Sequence, residues 1–147
     1  MVRMAVWEEF DLEKSRWTIP ASRMKAGVEH RIPLSARALA ILDERARSRP
    51  EKDARPTDLV FPSLTGKAHS DMTFTMQLRR LGMEFTMHGF RSTFRDWAAE
   101  QTSFPAEVCE AALAHALRDA TEAAYFRSDL FEKRRELMDA WAKHCQK

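Results

Sequence analysis

Four apolar side chains between Met87 and Gln101 recur at i, i+4, i+7 and i+8: Phe90, Phe94, Trp97 and Ala98. That spacing predicts a helix over about 87–101 with one side committed to a core. His88, Arg91 and Arg95 project from another side. The rest of the chain after Thr86 also reads as helix. "FPAEVCEAALAH" places Pro105 at a first helical turn, "DATEAAYF" is a short helix, and "DLFEKRRELMDAWAKHC" is a longer one predicted to bury Leu130, Leu137, Met138 and Trp141.

The first third has a different rhythm. "AVWEEFDL", "SRWTIP" and "EHRIPL" are short runs with the length and bounding turn residues of strands. "ASRMKAGV" lies between the last two, and Gly27 supplies its turn chemistry, so a hairpin carries Lys25 near its tip. Ser35 can cap a helix with Leu39, Leu42 and Ala46 at helical spacing, stopped by Pro50. "LVFPS" is a further extended piece. "HSDMTFTMQLRRLG" is helical, with Gly82 as its end signal. The expected fold class is α+β, mainly helical: a small N-terminal antiparallel sheet and hairpin followed by a helical bundle.

At 147 residues, one domain with its own core is expected. No apolar run is long enough to span a membrane, and no secretory leader is recognisable. Cys109 and Cys145 are isolated, so a reducing cytoplasm is the expected compartment. The net charge of +2 does not by itself argue for nucleic acid; what matters is whether the 24 Lys and Arg residues cluster. His88, His115, Cys109, His144 and Cys145 fit no zinc-ligand spacing. No Gly-rich phosphate loop or G-x-S-x-G turn is present, which removes support for nucleotide hydrolysis and serine esterase chemistry.

Five residues are suited to chemistry: Lys25, His88, Arg91, His115 and Tyr125, the single tyrosine. A tyrosine hydroxyl can attack phosphorus and form a covalent phosphotyrosine. The charge that builds on the phosphate oxygens suits arginine and helix-entrance N–H groups. Histidine can hydrogen-bond the phosphate or move a proton, and a hairpin lysine can protonate a departing 5′ oxygen. Each residue also has an ordinary reading. A His and an Arg three apart usually mark a solvated helix face, and a Tyr near an Arg is usually core with a wet hydroxyl. Chemistry alone leaves the function open.

The ordered set does more. Lys25 on a hairpin, "HGFRSTFRDWAAE" with its H-x-x-R, then "LAH", then Tyr125 ten residues later resembles the tyrosine recombinase (phage integrase) family. It is most similar to the catalytic domain of prophage and genomic-island integrases, from Val6 to about His144. The resemblance implies Tyr125 as the nucleophile that joins a DNA 3′ phosphate, Arg91 as a ligand of the scissile phosphate, and His88 and His115 as its hydrogen-bonding partners. Lys25 would be the general acid. It implies no cofactor and no metal, double-stranded DNA as partner, and other integrase protomers reached through the C-terminal helix.

The family pattern also has a first arginine, in an A-R-x-x-E-like segment ahead of the sheet. Arg3 aligns several residues too late to match it. The expectation is a catalytic domain over 1–147 without that segment or the core-binding and arm-binding domains, and therefore impaired in strand exchange. The alternatives are a DNA-binding remnant or regulator without catalysis, and an interaction domain whose terminal helix either folds back or reaches a partner.

Overall fold

The computed structural model describes residues 1–49, 54–115 and 129–146. Three short strands, β1 (Phe10–Asp11), β2 (Arg16–Ile19) and β3 (His30–Pro33), form an antiparallel sheet in the order β1-β2-β3. Trp17 pairs with Phe10 on one side and Ile32 on the other. The two-residue period of β2 buries Trp17 and Ile19 and leaves Arg16 and Thr18 half-buried. Phe10 stacks on Trp17 at 5.2 Å.

The strand expected from "AVWEEFDL" is mostly something else. Trp7–Glu9 is a single 3₁₀ turn, and only Phe10 and Asp11 join the sheet. The reason is a competing partner. The Trp7 and Glu8 amides donate to the Asp58 and Pro56 carbonyls at 3.1 and 2.8 Å, and Val6 bridges Leu59. The extended reading of "LVFPS" is met by that bridge. Ala5, Trp17, Ile19, Leu34, Leu42 and Val60 close the first core over this crossing.

The link from β2 to β3 carries exposed Lys25, close to Gly27 at φ +65°. Its base is braced. Arg23, in the 3₁₀ turn Ala21–Arg23, ion-pairs with buried Glu9, whose other oxygen accepts from the Trp17 indole at 3.0 Å. The helix α1 (Ala36–Arg47) begins as expected, Ser35 Oγ accepting from the Ala38 amide. Leu42 is buried and Leu39 packs beside it, but Ala46 faces water.

α2 (Thr73–Arg80) ends at Gly82, φ +68°, where the Gly82 and Met83 amides return to the Arg79 and Leu78 carbonyls. α3 (Gly89–Gln101), α4 (Ala106–Ala112) and α5 (Phe131–His144) build the second core from Phe94, Trp97, Ala98, Val108, Cys109 and Leu137. Trp141 of α5 meets Trp97 at 4.9 Å and Phe94 edge-on at 5.4 Å, so the apolar side of α5 folds back onto α3. Phe90 departs from the expected stripe. It is 47% exposed. The helix expected at "DATEAAYF" lies outside the described residues.

One buried cation joins the two halves. Arg134 of α5 is 1% exposed. It donates to the Arg31 carbonyl of β3 at 2.6 Å, to the Asp129 carbonyl at 2.7 Å and to Asp129 Oδ2 at 2.9 Å. Arg31 completes the cluster on the same carboxylate at 2.6 and 2.8 Å. Burial opposes ionisation of Asp129, yet the Arg31 and Arg134 contacts outweigh it and hold its carboxyl below the usual range. Arg134→Ala should cost roughly 3 kcal/mol, the low end for breaking a buried ion pair. A urea titration checks this.

His30 sits beside the same cluster. Burial, then the Arg134 charge, lower it from 6.5 to about 4, against the opposing pull of Asp129. Between those values the unfolded chain binds a proton that the native chain refuses. The contribution is therefore whole above pH 6.5 and is lost as pH falls toward 4. The urea midpoint should drop between pH 7 and 5, and His30→Gln should flatten that slope.

Candidate active site

The site grows from two helix ends. α4 stops with the hydrogen-bond pattern that ends α2: the Ala114 amide returns to the Ala111 carbonyl at 3.1 Å and the His115 amide to the Glu110 carbonyl at 3.0 Å. The left-handed residue here is Ala114, φ +53°, where α2 uses Gly82. This turn leaves the Leu113 carbonyl without a helical partner and swings His115 back over Glu110.

Arg91, on the first turn of α3, meets both. Its Nη2 donates to the Leu113 carbonyl at 2.6 Å and lies 2.8 Å from His115 Nε2. On its other edge, His115 Nδ1 lies 2.6 Å from Glu110 Oε2. The second Glu110 oxygen accepts from Arg95, one turn along α3, at 2.8 Å. Arg95, Glu110, His115 and Arg91 thus form one continuous chain across the α3–α4 seam, on the rim of the second core. The remaining N–H groups of Arg91 have no partner among the described residues. Its half-buried guanidinium can therefore still take an anion.

His88 precedes α3 and is exposed. Its imidazole makes no hydrogen bond among the described residues, and Thr86 Oγ1 rather than His88 accepts from the Gly89 amide, at 3.0 Å. Lys25 is likewise exposed, with no hydrogen bond or ion pair among the described residues. Of the five residues singled out from the sequence, the structure brings Arg91 and His115 into contact. It leaves His88 at the same helix entrance without a partner, and gives Lys25 no contact with them. Tyr125 lies outside the described residues. Arg3 is engaged elsewhere, on the His69 carbonyl at 3.1 Å and Asp71 at 2.5 Å.

Glu110 was not singled out from the sequence. It stands five residues before His115, a spacing with no helical meaning until Ala114 reverses the chain. No group of three or more His, Cys, Asp or Glu side chains suited to a metal occurs among the described residues. The Cys109 thiol is raised by burial, which keeps it protonated. His144 stacks on Trp141. No described helix is long and apolar enough to cross a membrane.

The Phage integrase family model matches residues 2–130. The chain belongs to this family. It is 39% identical over 142 residues to the prophage integrase IntA of Escherichia coli (strain K12), covering 94% of this chain and 33% of that protein. It is 32% identical over 160 residues to the integrase of Enterobacteria phage P4, covering 96% of this chain and 35% of that protein. The chain thus spans about a third of the length of the curated relatives it matches. No solved structure matches it.

In this integrase-family chain the left-handed alanine stores strain next to the site. Relieving it with Ala114→Gly should stabilise the fold by roughly 1 kcal/mol, read as a rise in urea midpoint with an unchanged slope.

Proposed function

We propose that this chain is a catalytic segment of a tyrosine recombinase that cuts and rejoins double-stranded DNA. The observation that carries this reading is Arg91: fixed by a backbone carbonyl and an imidazole, with its remaining N–H groups unpartnered among the described residues, and followed in sequence by the one tyrosine of the chain. In the proposed step Tyr125 Oη passes its proton to His88 and attacks the scissile phosphorus. The bond to the 5′ oxygen breaks, and that oxygen takes a proton from Lys25. The product is a 3′-phosphotyrosine, whose bond energy remains available when a 5′ hydroxyl attacks in reverse. Arg91 and His88 would bind the phosphate and stabilise the charge that develops on it, with His115 beside Arg91. The cell compartment follows from the substrate: cytoplasm, where the DNA is. Other integrase protomers would complete the recombining assembly.

The first arginine of the family pattern has no counterpart in Arg3, which the His69 carbonyl and Asp71 hold. Loss of one such donor costs roughly 2.7–4 kcal/mol of transition-state stabilisation. The 147 residues alone should therefore form the covalent intermediate slowly, by a factor of about 100 to 1,000. That same observation favours a second reading, DNA binding without cleavage.

A nicked suicide substrate separates them. A denaturation-resistant protein–DNA adduct that accumulates slowly and disappears in Tyr125→Phe is the expected result. Salt-sensitive binding with no adduct at any time would leave the second reading. Rapid adduct formation would overturn the expected impairment.

A further inference from the structure

The contact between Arg91 and His115 fixes the state of the ring. A guanidinium has only donors. With Arg91 Nη2 at 2.8 Å, His115 Nε2 must present its lone pair. The ring proton is then on Nδ1, where Glu110 Oε2 accepts it at 2.6 Å. Arg95 holds the other Glu110 oxygen and so fixes the carboxylate in the direction that faces the ring. The Glu110 backbone helps as well, since its carbonyl receives the His115 amide at 3.0 Å.

We infer that Glu110 is a positioning residue of this site, locking His115 with its proton on Nδ1 so that the Nε2 lone pair orients Arg91. The inference rests on the proposed function for its purpose, but not for its geometry. In this arrangement both ring nitrogens are committed. Arg91 in turn is held at one end by a carbonyl and a ring, which restricts rotation of its long side chain before any anion arrives.

The test is the two-bond proton–nitrogen spectrum of the ¹⁵N-labelled, DNA-free chain at neutral pH. The chain has five histidines, and the signals missing in His115→Gln identify those of His115. The expected pattern is that of the Nδ1–H tautomer, with Nε2 at the shift of an unprotonated ring nitrogen. Glu110→Ala should move His115 to the Nε2–H pattern, whereas Arg95→Ala should leave the tautomer in place. Glu110→Leu replaces Glu110→Ala should the alanine variant lose the near-ultraviolet dichroism of Trp97 and Trp141. An Nε2–H pattern in the unaltered chain, or an Nδ1–H pattern that survives loss of the carboxylate in a folded variant, overturns the inference. Because this spectrum is read without DNA, a failure of the adduct experiment overturns the recombinase reading and leaves the tautomer result standing.

Discussion

A buried guanidinium, that of Arg134, is central to the contact that ties the two cores together. The first core is closed by the sheet, α1 and the 56–60 crossing, the second by α3, α4 and α5. They are separate clusters, and a separate cluster packs only its own elements. Arg134 spans them by donating from α5 into the backbone of β3. Burying such a charge is expensive, and burial does pull the Arg134 guanidinium below its usual range, with Asp129 opposing that pull. The burial is sustained because the donors of the fork are taken by two carbonyls and a carboxylate with little left unsatisfied. A hydrophobic residue at this position would fill the space without fixing the angle between α5 and the sheet. The same cluster holds Asp129 and so fixes where the chain re-enters the described fold after the segment that contains Tyr125.

Much of this was legible because it is local. The stripe Phe94, Trp97 and Ala98, the cap at Ser35, the turn at Gly27 and the end signal at Gly82 are each written within a few residues, and each is met. What escaped depends on partners far away. "AVWEEFDL" reads as a strand, but its amides are claimed by residues 56–58, and nothing within the segment signals that competition. Phe90 satisfies the helical period yet stays outside the second core. Arg134 reads as one more charged residue in "EKRRE", and only the fold shows that it is the buried one.

The site shows the same division. Arg91 and His115 were visible as motif residues, and their contact across α3 and α4 is consistent with a shared task. Glu110 was hidden by Ala114. A glycine before the histidine would have announced a left-handed helix end; an alanine reads as more helix. The chain reverses there anyway, because the two return hydrogen bonds and the Arg91 contact to the Leu113 carbonyl together exceed the cost of the strained alanine, on the order of 1–2 kcal/mol.

The choice of partners around Arg91 has an electrostatic consequence. Among the described residues its two hydrogen-bonding contacts are neutral, a peptide carbonyl and an imidazole ring. The nearby carboxylate, Glu110, is directed at His115 and at Arg95 instead. Had Glu110 met Arg91 directly, the bidentate pair would have cancelled the charge and filled the donors that an anion needs. Placing a ring between them keeps the rigidity of an ion-pair network while no described carboxylate pairs with Arg91. Arg95 takes the role of counter-cation, so the carboxylate is satisfied without Arg91. In the proposed reaction, a positive group held by neutral ligands among the described residues, at a helix entrance whose amides add further positive potential, would receive the negative charge of the phosphate.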